Sequence, residues 1–233
     1  MPRPNLLEAF CWEDFEEYVL GVFEAALLEL RKQPAPSTHE TRLNRALRQQ
    51  AEKVNWQRNH SGDGFPMCVV LDAANQPEPD DVGDAPRLCK IPDFQCVLFN
   101  NVAKTPQDAQ VLYVLECKRL GKPERSDWRF NENYTCHGIV RFRDAGHAYA
   151  KGFASAAMIG YLQSMQPKDV LCEVNAVAKA AGFPEILPPK KWRAGQVIRL
   201  GPQTFHRDFP VESFMLHHLW ADLRYATDDE LSP

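Results

Sequence analysis

VLYVLECKRL, residues 111–120, is an apolar run that ends in Glu116 and Lys118. Its density of Val, Leu and Tyr predicts a buried strand. Side chains two apart on a strand face the same side, so the Glu and the Lys point together off a segment that belongs in the middle of a sheet. Charges placed there must be paired, hydrated or bound to a metal, because an uncompensated charge is costly to bury. The stretch is either a strand running out into solvent or a site. The tripeptide E-x-K does not decide between them: with each charged type at roughly 6% of residues, a chain of 233 residues holds about one by chance.

The segments on either side carry more weight. DFQCVLFN (93–100) is a second strand candidate, joined to 110–118 by a loop, which predicts a hairpin. Asp93 follows Pro92, which cannot donate to a ladder, so Asp93 belongs at a strand end. Pairing of the two strands brings Asp93 and the Glu116/Lys118 pair to one edge of the sheet. Glu40 is a fourth candidate. With Ser37 it forms the S-x-x-E pattern of a capping box opening a helix. It also precedes Leu43 and Leu47 by three and seven residues, which puts it on their inward stripe. The cap explains Glu40 without any chemistry, and Asp93 has the same bland alternative as a turn cap. Three carboxylates and an ammonium are nevertheless a sensible composition for hydrolysing a phosphodiester. Hard oxygens hold Mg²⁺, the metal acidifies a water, and a lysine stabilises developing charge.

The rest of the chain predicts a mixed α/β domain in the order α-α-β-β-β-α-α-α-β-β. Residues 14–31 carry a helical stripe from Phe15 to Leu30, and QPAPS (33–37) breaks it. MCVVLD (67–72) is a short strand, NQPEPDDVGDAP (75–86) an exposed acidic loop, and GKPERSD (121–127) a polar turn. Two helices are expected near 131–142 and over 145–165, the second rich in Ala and Gly, with Gly152, Ala156 and Gly160 allowing close helix packing. Pro167 opens a further helix that Gly182 ends. QVIRL (196–200), TFHRDF and SFMLHHLW complete the order as strands, or as a strand and a short helix, with His206 and Arg207 on an exposed strand. No linker divides the chain: residues 1–36 are an amino-terminal helical segment, 37–165 a core, and 166–233 a carboxy-terminal helix and strands of one domain.

Composition excludes several classes. No apolar run reaches membrane-spanning length and MPRPNLLEAF (1–10) lacks a basic region followed by an apolar one, so neither a membrane span nor a signal peptide is expected, and a cytoplasmic protein without membrane attachment is. Seven scattered cysteines do not form a disulfide framework, and Cys96, Cys117 and Cys172 sit in apolar stretches as small hydrophobes. None has the spacing of a structural zinc site, and no phosphate-binding G-x-x-x-x-G-K-[ST] loop occurs. The net charge of −4 is unevenly spread: residues 1–31 hold seven acids and two bases, whereas residues 116–151 hold eight bases and five acids. The segment beside the Glu/Lys pair is thus a place where a polyanion can be met locally. Arg119, Arg141, Arg143 and Lys151, with Tyr134, are the candidates to follow a nucleic-acid backbone.

Pro92-Asp93 followed by Glu116-x-Lys118 at the end of an apolar strand resembles the PD-(D/E)XK nuclease superfamily. The resemblance implies the restriction-endonuclease-like fold, a mixed central β-sheet flanked by helices. It implies Asp93 and Glu116 as ligands of Mg²⁺ or Mn²⁺, Lys118 as the catalytic lysine, and Glu40 as the helical carboxylate that completes the metal site. The expected activity is hydrolysis of DNA in bacterial restriction or anti-phage defence. A homodimer, and a protein partner supplying targeting through the acidic amino-terminal helix, are the assemblies it suggests. The alternatives are a non-catalytic nucleic-acid- or protein-binding subunit that keeps the fold, and an enzyme acting on RNA or branched DNA.

Overall fold

The apolar run 111–120 lies within the third strand of a six-stranded mixed sheet. Its members are β1 (Cys68–Leu71), β2 (Phe94–Phe99), β3 (Gln110–Leu120), β4 (Ser155–Leu162), β5 (Val197–His206) and β6 (Ser213–Asp222), in the spatial order β1-β2-β3-β4-β6-β5. Four helices flank them among the described residues: α1 (Trp12–Arg31), α2 (Glu40–Ser61), α3 (Phe130–Cys136) and α4 (Pro167–Ala180). The computed structural model describes residues 11–33, 37–78, 81–83, 85–100, 103–105, 109–123, 129–192 and 195–224. The amino-terminal decapeptide with Arg3 and Glu8, the middle of the QPAPS break, parts of the acidic loop, and most of the GKPERSD turn with Arg125 lie outside them.

The expected hairpin is present, with Phe94 opposite Leu115 and Phe99 opposite Gln110. β1–β2–β3 and β5–β6 are antiparallel, whereas β3, β4 and β6 run parallel through the centre. Parallel neighbours need crossovers; the segment containing α3 links β3 to β4, and the one containing α4 and β5 links β4 to β6.

The helix expected over 145–165 is not formed. Its second half is β4, SAAMIGYL, and every residue of that strand is buried. A strand covered on both faces has no apolar/polar alternation, and its alanines favour a helix locally, so tertiary burial decides against local propensity. Gly160 serves close approach of side chains, not of helices. A Cβ there would lie 2.4 Å from Leu120 Cδ1 and 2.7 Å from Trp220 Cδ1. The helix expected over 131–142 is split into α3 and a 3₁₀ turn, Ile139–Phe142.

Two cores fill the two faces. Phe15, Phe23, Leu27, Leu43 and Leu47 of α1 and α2 pack with Phe94, Tyr113, Leu115 and Cys117 on one. Tyr134, Val170 and Val174 pack with Val114, Met158, Leu162 and Trp220 on the other. In the second core Trp220 Nε1 donates to the Tyr134 hydroxyl at 3.1 Å, which in turn lies 2.9 Å from His218 Nδ1. Burial pushes the His218 pKa down to about 3.

The helix ends are partly as expected. Pro167 opens α4, and beyond its cap Gly182 has a φ of +73°, with the Phe183 N–H donating to Ala178 O at 2.9 Å in a Schellman arrangement. The capping box at Ser37 is not formed: α2 starts at Glu40 behind His39, and among the described residues Ser37 Oγ accepts only the His39 N–H. Glu40 is thereby released for other partners. Cys96 and Cys117 are buried, whereas Cys172 is exposed, and Arg207, expected on an exposed strand, is fully buried. Among the described residues no helix is long and apolar enough to cross a membrane.

Candidate functional site

The site grows from a gap in the ladder. β2 begins at Phe94, opposite Leu115, so residues 116–120 of β3 have β4 on one side and, among the described residues, no strand on the other. Backbone N–H groups left open in this way must find other acceptors. Two carboxylates supply them. The Cys117 N–H donates to Asp93 Oδ2 at 2.7 Å, and the Arg119 N–H donates to Glu40 Oε2 at 3.2 Å. The end of β3 therefore draws in one acid from the entry to β2 and another from the first residue of α2.

Glu116 and Lys118 share one face of β3, as their spacing requires. The Lys118 ammonium donates to Glu116 Oε1 at 2.7 Å and to Cys117 O at 2.7 Å, and lies 3.5 Å from Glu40 Oε1 and 3.9 Å from Asp93 Oδ2. The structure thus gathers all four sequence candidates, Glu40, Asp93, Glu116 and Lys118, around one ammonium. The Glu116 side chain is only 1% exposed and takes a second cation, Arg141, whose Nη1 stands 2.5 Å from Oε1. The 3₁₀ turn Ile139–Phe142 delivers that arginine.

Three carboxylates face two cations here. Burial opposes the charge on Lys118, but Glu116, Glu40 and Asp93 outweigh it and hold the ammonium pKa above the ordinary lysine value. Burial, and then the neighbouring Glu116 carboxylate, push Asp93 up to about 8. An acid whose folded pKa exceeds its unfolded one stabilises the fold below the unfolded value and loses that contribution as pH rises through the folded value. Metal-free protein should therefore lose stability towards pH 8. His218, neutral in the fold, gives the opposite slope only below its ordinary value of 6.5. Thermal melts between about pH 6.5 and 8.5 in chelator should show a decline in the wild type that Asp93→Asn flattens. Equal slopes in the two proteins would remove Asp93 as the source.

A supporting layer went unrecognised in the sequence. Asn44 donates to Asp93 Oδ1 at 2.9 Å and accepts from the buried Tyr161 hydroxyl at 2.8 Å. Its legible signal was position: four residues after Glu40 it lies on the same inward face of α2. Tyr161 had none, because it belongs to the strand misread as a helix. A cavity of about 280 Å³ opens beside the carboxylates, bordered by Glu40, Lys118, Arg119, Phe130, Asn133, His137 and Arg141. A larger, shallow groove between α1 and α2 contains none of these groups.

The four basic candidates separate. Arg119 borders the cavity, with its guanidinium 4.2 Å over Phe130 and Nε donating to Gln163 Oε1 at 2.7 Å. Arg141 borders it too. Arg143 is engaged inside the fold, donating to Ala181 O and Gly182 O at the end of α4 and lying 3.7 Å over Phe183. Lys151 is buried, 2.9 Å from Asp81 Oδ1, which also pairs with Arg87. Tyr134 is fully buried as well.

Among the described residues no group of three or more His, Cys, Asp or Glu side chains is spaced to hold a metal ion. At the site it is Lys118 that stands between the carboxylates. Comparison of the chain with protein-family models, with curated proteins and with solved structures finds no match.

Proposed function

We propose that the chain is a metal-dependent nuclease of the restriction-endonuclease-like type that hydrolyses phosphodiester bonds in DNA. The supporting observation is the convergence of Glu40, Asp93 and Glu116, from three separate elements, on Lys118 where β2 leaves β3. The donors are all hard oxygens, and once Asp93 gives up its proton three carboxylates stand against Lys118 and Arg141, an excess of negative charge that a divalent cation can balance. That chemistry fits Mg²⁺ or Mn²⁺, which Asp93, Glu116 and Glu40 would hold in competition with Lys118. When bound, such an ion acidifies a water and neutralises charge on the phosphate.

The chain's own groups supply the rest. Lys118, kept protonated by its carboxylates, can hydrogen-bond the attacking water or a phosphate oxygen. Glu116 orients both Lys118 and Arg141, and Arg141 offers a cation to a phosphate entering the cavity. Asn44 and Tyr161 fix the orientation of Asp93. Bacterial restriction or antiviral defence is the setting this chemistry suits.

A second reading has its own observation. Because Asp93 and Glu40 satisfy open N–H groups of β3, both have a structural use without any metal, as in a non-catalytic binding subunit. Purified protein incubated with plasmid DNA, single-stranded DNA and RNA in Mg²⁺ or Mn²⁺, with and without chelator, separates the two. Metal-dependent scission supports the nuclease. Binding with no scission of any substrate supports the subunit.

A further inference from the structure

The solvent face of α2 carries an arrangement that the proposed chemistry leaves unused. Arg42, Arg45, Gln49, Trp56 and His60 recur at helical spacing and are all exposed, opposite the buried Leu43, Leu47, Ala51 and Val54. From Arg42 to Trp56 the row runs about 21 Å along the helix. Trp56 is 60% exposed, an unusual cost for the largest apolar ring, and its indole lies against His60 with centroids 4.2 Å apart. Glu52, the acid beside the row, is paired with Arg48 at 2.9 Å. Arg42 and Arg45 have no ion pair among the described residues. Two cations and an aromatic platform thus share one face of a chain whose net charge is −4.

We propose that this row binds single-stranded nucleic acid, with Arg42 and Arg45 on phosphates and an unpaired base stacked on Trp56. A basic row with an exposed ring is what sequence-tolerant single-strand binding needs, since every base offers a π-face and every nucleotide a phosphate. A duplex would engage the arginines but has no free base for the indole. A protein partner would have to bring carboxylates for the two arginines and a separate ring for the indole, whereas each nucleotide of a single strand carries both an anion and a π-face. The row faces away from Glu40, so the proposal does not rest on the cleavage chemistry.

Fluorescence anisotropy of labelled oligo(dT), and of a duplex of equal length, tests it with the full chain in chelator. The wild type should prefer the single strand. Trp56→Ala should weaken oligo(dT) binding by roughly 5- to 150-fold, the span of base–aromatic stacking, while Trp56→Phe keeps most of the affinity. Replacing Arg42 and Arg45 together by Ala should lower the salt slope of binding by about 1.4. All three positions are exposed, so the fold is retained. The proposal is overturned if the wild type binds no oligonucleotide, if Trp56→Ala binds as well as the wild type, or if it weakens duplex and single strand equally. Trp56-dependent self-association in sedimentation, unaffected by oligonucleotide, would assign the face to a second copy and overturn it too.

Discussion

Lys118→Ala should lower metal-dependent cleavage by roughly 100- to 1,000-fold, the usual effect of removing one preorganised donor at a reacting phosphate or carbonyl. The geometry adds a second consequence. Without the ammonium, Glu116 keeps Arg141 and the Asp93 N–H, 3.4 Å from its Oε2, while Glu40 and Asp93 lose the cation that lies 3.5 and 3.9 Å from them. Breaking a buried ion pair from one side costs about 3–5 kcal/mol, so the metal-free variant should melt well below the wild type. If the carboxylates do hold a divalent ion, Mg²⁺ should raise the melting temperature of Lys118→Ala more than that of the wild type, since the ion no longer competes with the ammonium. Lys118→Arg separates the two effects: it restores charge but not the point-like donor, so it should recover stability and not activity. Calorimetry with and without Mg²⁺, beside initial rates on plasmid, reads both. Cleavage by Lys118→Ala at the wild-type rate would remove the lysine from the chemistry. Unchanged melting in chelator would show that it does not balance the acids.

Much of this site is legible because its grammar is local. Glu116 and Lys118 are two apart on a strand, the hairpin partner of that strand begins at Pro92-Asp93, and Glu40 shares a stripe with Leu43 and Leu47. Each inference uses a period fixed by backbone geometry. What stays hidden depends on partners with no sequence identity. The gap beside β3 exists because β2 stops at Phe94, and the groups that attract Asp93 and Glu40 are main-chain N–H groups of Cys117 and Arg119. Nothing in a run of letters marks an amide as unpaired. β4 is hidden for another reason: burial of both its faces erases the alternation that announces a strand. Long cations are ambiguous in the same way. Arg141 and Arg143 are two apart, yet one meets Glu116 and the other closes the end of α4.

Arg207 is the extreme case, and it should be among the most costly residues to replace for stability. Its side chain is fully buried, and among the described residues it pairs with no carboxylate; instead Nη2 donates to Phe153 O at 3.0 Å and Val211 O at 3.1 Å, Nη1 to Ala150 O at 3.2 Å, and Nε to Val211 O at 3.2 Å. The guanidinium also lies 3.8 Å over the Phe214 ring. Burial lowers its pKa to about 10, which leaves it charged at neutral pH. The turn it holds is strained, with Ala148 and Ala150 at φ values of +42° and +53°. That turn leads into β4, and its Tyr149 hydroxyl donates to Ile91 O, two residues before Asp93. Arg207→Met keeps the apolar stem but strips donors from several carbonyls at once, and a loss of about 3–5 kcal/mol is expected from their combined desolvation. Arg207→Lys offers one compact donor cluster where a planar fork spans two segments, so it should lose nearly as much. Urea denaturation of both variants measures the loss, and hydrogen exchange over residues 149–153 should quicken in step with it. A lysine variant within about 0.5 kcal/mol of the wild type, the range of an ordinary surface substitution, would mean that the fork is not what holds the turn.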